Sequence, residues 1–397
     1  MRVTGIRATP VAVPFTQPEA WAFGERTGMV SVLLEVDTDV GLVGLGEAAA
    51  YPSADIIEAV LRTVEPLVVG ESAFNIERIM KRVNVVGTWH HVQATSPAIA
   101  AVEMALWDLV GKAAGQPVVN LFGGRVRDEV EYFYYLSRKS PEGMAADAKV
   151  GREAGFRIFY LKACSANPHD DIERVEAVHA AIGHGLTGQS AGIRVDANES
   201  WTPGAAIRII NEMARYGLEL AEQPVTGRNL SEMSYLRSRL DVPLLANEAS
   251  WTRWHHLEII KQGAADVVSV DNQMDGGLAN LKAGAAMLEV AGLPVLKHSL
   301  GELGVATYAG AHLLASIPNA IHASQAYGSF LADDVIEGAS PLPYRNGCLT
   351  VPDGPGLGVT LDAERVGTYA EAYRRDPNGY AFRDSGALES TPVMPKL

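Results

Sequence analysis

The chain is poor in cysteine, in basic runs and in long apolar stretches, and each shortage excludes something. Two cysteines, Cys164 and Cys348, in 397 residues cannot make a disulfide framework, which predicts a reducing compartment. Lysine and arginine number 33 against 47 Asp and Glu, a formal charge of −14. Without a basic cluster, neither a nucleic-acid backbone nor an anionic membrane surface has anything to hold. No apolar run approaches the roughly 20 residues that a membrane helix needs. Met1-Arg2-Val3 opens without the apolar core of an export signal, so a cytoplasmic protein is expected. What is present is an ordinary globular composition, 47% hydrophobic and 20% charged. A soluble enzyme acting on a small molecule is the expectation.

The first segment is β-rich. Arg2–Val13 and Ser31–Val36 carry apolar residues at strand spacing, with turn chemistry at Asp37-Thr38-Asp39, Gly41 and Gly44. Phe15–Thr27, with Trp21, Phe23 and Gly24, reads as a loop or flap between them. Helical patterns follow at Ser53–Val68 and Asn75–Arg82. A stronger one spans Ser96–Ala114, where Ser96-Pro97 reads as cap and first-turn proline. Residues 1–125 are expected to form an α+β domain. From about 130 short β-type runs alternate with helix-length amphipathic stretches. The runs are Glu131–Leu136, Phe156–Lys162, Gly192–Val195, Gly217–Ala221, Val242–Ala246, Asp266–Val270, Leu293–Lys297 and Asn319–Ala323. Eight βα units in about 200 residues predict an α/β fold closed as a parallel barrel over 126–345. A doubly wound open sheet would carry a Gly-rich phosphate loop after its first strand, and Gly123-Gly124 instead precedes it. The tail, 346–397, returns to strand and turn chemistry and is expected to pack on the first domain.

Active sites of such barrels lie at the C-terminal ends of the strands. There the sequence places Lys162 after the second run, Asp196 after the third, Glu222 after the fourth, Glu248 after the fifth, Asp271 after the sixth and His298 after the seventh. Each acid alone has an ordinary reading as a solvated loop residue or helix cap. Asp196, Glu222 and Glu248 recur at a spacing of 26 residues, one barrel repeat each, so they can converge. Three carboxylates at close range repel unless a cation joins them, and oxygen-only ligands favour Mg²⁺. Lys162 and the His298/Asp271 pair flank that group from either side. Beside a cation the Lys162 pKa is expected to fall toward that of a useful base, while Asp271 orients and charges the imidazole.

These residues resemble the enolase superfamily, in its mandelate racemase-like group. The resemblance covers nearly the whole chain. It includes Ala105-Leu106-Trp107-Asp108-Leu109, Leu121-Phe122-Gly123-Gly124, Val195-Asp196-Ala197-Asn198 and Glu222-Gln223-Pro224. It continues through Val242-Pro243 to Glu248, Asp271 with Gly276-Gly277, His298-Ser299 with Glu302-Leu303-Gly304, and Pro355-Gly356-Leu357-Gly358. The resemblance implies a modified TIM barrel, (β/α)₇β, with an α+β capping domain from the N-terminal segment and the tail. It also implies an essential Mg²⁺ and abstraction of the proton α to a carboxylate through an enediolate, chemistry for which this superfamily is a standing example. By position Asp196, Glu222 and Glu248 look like metal ligands, Lys162 and His298 like acid–base groups, and Asp271 like the partner of His298. Homo-oligomers, octamers or dimers, are implied by resemblance.

Three departures matter. Where relatives have Lys-x-Lys on the second strand, this chain reads Tyr160-Leu161-Lys162, so the substrate carboxylate must be held differently. Asn247 precedes Glu248, and counting from Pro243 leaves Asn247 as an alternative third ligand. After the last run Ala323-Ser324-Gln325-Ala326 offers only neutral donors, which argues against a mandelate racemase. Dehydration of a sugar acid or other β-hydroxy carboxylate is the expected reaction, by analogy with His/Asp-plus-Lys members of the group. Racemisation, epimerisation or cycloisomerisation is the alternative, and a ligand-binding barrel without chemistry a remote one. Candidate substrate contacts are Tyr160, Asn198, Trp21, Phe23, Tyr135, Gln325 and Glu302. His90 and His91, adjacent in sequence, would point to opposite sides of a strand and do not make a metal site.

Overall fold

A computed structural model describes residues 1–21, 24–51, 53–88, 92–165, 167–183, 191–338, 342–381 and 383. Phe23, His90 and His91 lie outside the described residues. Seven parallel strands form one curved sheet: Tyr134–Leu136, Ile158–Lys162, Gly192–Asp196, Leu218–Glu222, Leu244–Ala246, Val267–Val270 and Val295–Lys297, neighbours in chain order. These segments form strands because they are short, apolar and rich in β-branched residues. Both their faces are buried, as a parallel sheet under helices requires. The architecture is the barrel-plus-cap fold expected from the sequence.

The first and last runs behave differently from the expectation. Glu131–Leu136 is not one strand. Glu129–Glu131 pairs antiparallel with Cys348–Thr350, while Tyr134–Leu136 pairs with the second barrel strand. The Asn319–Ala323 run makes isolated bridges instead of a regular strand. Ala320 bridges Val295 and Ser324 bridges Tyr132, so this segment closes the gap between the seventh strand and the first. The backbone N–H of Gln325 then donates to Lys297 at 2.8 Å, which brings Gln325 to the barrel mouth.

The cap corrects four readings. Phe15–Thr27 is not a loop: Val3–Trp21 and Gly24–Thr38 run as one long antiparallel hairpin, with a register shift between Pro14 and Glu19. A third strand, Val43–Ala49, completes the sheet where only turn chemistry was read. The helix read from Ser96 begins at Val92, so Pro97 lies inside Val92–Ala114 and caps nothing. The second helix runs on to Thr88, past Arg82.

Buried acids of the cap grip the N-termini of barrel helices. Glu47 accepts from the backbone N–H of Leu303 at 2.6 Å and Ala306 at 2.9 Å, at the start of helix Gly304–Ala315. Glu103 accepts from Ala279 at 3.3 Å, at the start of Leu278–Val290. Orphan N–H groups and the positive helix end both favour a carboxylate there. Gly277, at φ 134°, is what lets Glu103 approach, since a Cβ would stand 2.2 Å from its Oε2. The tail helix Ala363–Arg375 is capped by Asp362, whose carboxylate accepts from Glu364 and Arg365. Among the described residues no helix is long and apolar enough to cross a membrane.

Candidate active site

Strand register builds the site. Lys162 pairs with Asp196 and Asp196 with Glu222, so the ends of the second, third and fourth strands present one row into the barrel mouth. One step down, Tyr160 pairs with Arg194. Side chains two residues apart on a strand share a face, so Tyr160 and Lys162 both point at Asp196. The Tyr160 hydroxyl donates to Asp196 Oδ2 at 2.5 Å, and the Lys162 ammonium donates to the same oxygen at 2.6 Å. Asp196 Oδ1 accepts the Asn198 N–H at 2.7 Å. The Tyr160 ring is held between Phe133, stacked at 4.5 Å, and Tyr135, edge-on at 5.0 Å.

The fifth-strand loop carries Asn247 and Glu248, and Gln223 fixes it. Gln223 stands at φ 34°, a strained left-handed backbone, and its Oε1 accepts from Asn247 N at 2.9 Å and Ala249 N at 3.2 Å. Asn198, at φ 43°, donates its side-chain amide to Glu248 Oε1 at 2.8 Å. Glu248 Oε2 and the Oδ1 atoms of Asn198 and Asn247 are buried without a hydrogen-bond partner. On the other side, His298 Nδ1 stands 3.4 Å from Asp271 Oδ2, an ion-pair distance. Asp271 Oδ1 is turned the other way, accepting from Gln273 and Met274 at 2.6 and 3.0 Å.

Charge in the site is out of balance. Burial, reinforced by Asp196, pushes the Glu222 carboxyl well above its usual range, and the same causes push Glu248 up to about 8. Burial pulls the Lys162 ammonium down, but Asp196 and Glu222 outweigh it and hold it above the ordinary lysine value. The fall expected for Lys162 is that of a cation-loaded site; where Asp196 and Glu222 face it directly, the carboxylates dominate its surroundings. Burial raises Asp271, yet Lys297 and His298 overcome it and keep it below the usual range, so it stays an anion. Burial, with Asp196 adding to it, keeps the Tyr160 phenol protonated.

A cavity of about 240 Å³ opens above this row. Of the residues singled out from the sequence, Trp21, Lys162, Asn198, Asn247, Glu248, His298 and Gln325 line it. Asp196, Glu222 and Asp271 stand buried behind them. Tyr135, Tyr160 and Glu302, expected as substrate contacts, do not line it. Tyr135 is packed among aromatic rings, Tyr160 is spent on Asp196, and Glu302 is wholly buried with its Oε1 2.5 Å from Lys297 Nζ.

Residues 143–366 match the family described as enolase C-terminal domain-like. Residues 3–123 match the mandelate racemase / muconate lactonizing enzyme N-terminal domain. The chain belongs to the mandelate racemase/muconate lactonizing enzyme family. It is 30% identical to the L-Ala-D/L-Glu epimerase of Bacillus subtilis over 90% of this chain and 97% of that protein. It is 28% identical to the arabinonate dehydratase of Saccharolobus solfataricus over 86% of this chain and 90% of that one. Among solved structures, an enolase of Thermobispora bispora complexed with magnesium and formate superposes with a TM-score of 0.87 at 29% identity, covering 98% of this chain and 96% of that one. Further relatives carry racemase and cycloisomerase names, so this mandelate racemase/muconate lactonizing enzyme family member is an enzyme whose relatives differ in reaction.

The donors of this family member suit a hard divalent cation in kind. Burial and the neighbouring Asp196 raise Glu222 and Glu248, a cost that a cation would relieve, and Glu248 Oε2 and Asn247 Oδ1 stand without partners. In arrangement the set is not closed. Among the described residues no three His, Cys, Asp or Glu side chains stand grouped to hold a metal, and Asp196 Oδ2 is taken by Tyr160 and Lys162. The sequence reading missed Tyr51, Trp251, Met274, Ser299, Leu300 and Tyr327, which complete the cavity wall. Trp251 and Met274, each three residues beyond a strand-end acid (Glu248, Asp271), had a positional signal. Tyr51 and Tyr327 had none, since tertiary folding alone brings them in.

Proposed function

We propose that this enzyme uses Mg²⁺ to remove the proton α to a carboxylate, and that a β-hydroxyl then leaves as water to give a 2-keto acid. The observation that carries the reading is that Lys162, from the second strand, and His298, from beyond the seventh, enter one cavity over the acids of the third to fifth strands. Asp196, Glu222 and Glu248, or Asn247 in place of the last, would hold the cation. When bound, Mg²⁺ supplies the positive charge that offsets the second negative charge developing on the substrate carboxylate. With the charge of Asp196 and Glu222 spent on the cation, Lys162 would stand as the neutral amine and take the α-proton at its Nζ. Asp196 and Tyr160 fix where that atom sits. Asp271, ionised and buried, faces the imidazole at 3.4 Å, so His298 is placed to give a proton to a departing hydroxyl.

Epimerisation or racemisation is the second reading, in which His298 returns the proton to the opposite face of the α-carbon. The aromatic and aliphatic share of the wall favours it, because rings and methylenes offer few partners to a polyhydroxylated chain. A panel of hydroxy acids with Mg²⁺, read for 2-keto acid and optical rotation together, separates the two. Keto acid formation supports dehydration. Deuterium wash-in at the α-carbon with inversion and no keto acid rejects it.

A further inference from the structure

We propose that the substrate carries a single carboxylate, the one beside the reacting carbon, and that its far end is uncharged. The inference rests on the reading of the cavity as a site of α-proton removal, and it holds whether water loss or inversion follows.

Four Lys or Arg side chains are buried among the described residues: Arg26, Lys162, Arg194 and Lys297. Each has a carboxylate of its own. Arg26 lies 2.5 Å from Glu19, Lys162 2.6 Å from Asp196, Arg194 3.0 Å from Glu219 and Lys297 2.5 Å from Glu302. Arg26 sits among the rings of Phe15, Trp21, Tyr51 and Tyr327, at 5.2 to 5.8 Å from their centres. Three of those rings line the cavity and Arg26 does not, so this cation, neutralised by Glu19, presents ring faces instead of charge. Apart from Lys162 and His298, which serve the reacting carbon, the only Asp, Glu, Lys, Arg or His lining the cavity among the described residues is the acid Glu248.

A second carboxylate would therefore shed its water against Trp251, Met274, Leu300 and the cap-side rings, with no cation among the described residues to receive it. Leaving a buried charge unpaired costs enough to lower kcat/KM by about 100-fold or more. A hydroxymethyl, alkyl or ring terminus carries no such cost, and the aromatic wall gives it apolar surface.

The test uses the full chain with Mg²⁺ and matched acid pairs: lactate with malate, gluconate with glucarate, galactonate with galactarate. Binding is measured by calorimetry, and turnover by α-deuterium exchange and keto acid release. The expected result is binding and turnover confined to monoacids, by about 100-fold or more within a pair, with Leu300→Arg narrowing that ratio at least about tenfold. A diacid bound or turned over as well as its monoacid overturns the inference. Monoacid-selective binding without any exchange upholds it while overturning the proposed reaction, and no Mg²⁺-dependent binding of any acid overturns both.

Discussion

The Tyr160 hydroxyl donates to Asp196 Oδ2 at 2.5 Å, on the very oxygen that receives the Lys162 ammonium. A neutral donor thus takes part of the Asp196 charge that would otherwise fall wholly on Lys162. Tyr160→Phe should leave that charge to the lysine, hold it more firmly protonated, and move the acid limb of the pH–rate profile upward. The loss in kcat/KM at neutral pH should be about tenfold, the scale of one hydrogen bond to a charged group. An unmoved limb would mean that Tyr160 only packs.

Asn247 Oδ1 and Glu248 Oε2 are both buried without partners, so both are poised to receive a cation. The negative charge and the raised carboxyl of Glu248, at about 8, favour it as the third ligand, since a cation relieves repulsion there. Glu248→Gln should weaken Mg²⁺ binding by more than about tenfold, the range seen when a site loses one of its groups. Asn247→Ala should weaken it less. Thermal stabilisation titrated against Mg²⁺ compares them, and the reverse order would assign the ligand to Asn247.

Glu103 joins the cap to the barrel as a buried carboxyl, which burial raises from 4.5 to about 7. The folded chain therefore keeps this proton over a pH range where the unfolded chain has lost it. Its contribution to stability is complete below about pH 4.5 and is lost as pH rises through about 7. Glu103→Gln removes that loss. The melting temperature of the variant, relative to the parent, should rise by a few degrees between pH 5 and pH 8. Parallel Tm–pH curves would contradict the assignment.

The site was legible because the barrel repeats its chemistry. An apolar run ending in Asp196, Glu222 or Asp271 announces a strand and marks the end that faces the cavity in one stroke. The cap was less legible, since its third strand is written in residues of low β-propensity. Gly44 reads as a turn residue and Gly46 interrupts the apolar pattern, yet a Cβ on them would lie 2.2 Å from the Ala105 carbonyl and 2.1 Å from that of Ala101. They are glycine because helix Val92–Ala114 presses on the sheet there, a tertiary demand that overrides local propensity. The hairpin across Pro14 and Pro18 was hidden likewise, for its support comes from the distant residues Ser137 and Phe330.

The same packing gives a stability prediction. Gly46→Ala should destabilise by about 1–3 kcal/mol, as an overpacked interior does, and lower Tm without altering the ratio of exchange to dehydration. A neutral effect on Tm would mean that the helix and sheet stand further apart than described.

The central claim is that Lys162 and His298 serve opposite faces of one carbon acid. Its most direct test follows the α-proton by NMR in D₂O, with Mg²⁺ and a monoacid substrate, in Lys162→Ala and His298→Asn. The account predicts that Lys162→Ala abolishes α-exchange and product together, whereas His298→Asn keeps the exchange made by Lys162 and loses water elimination or inversion. Equal loss of exchange in both variants, or exchange surviving without Lys162, would contradict it.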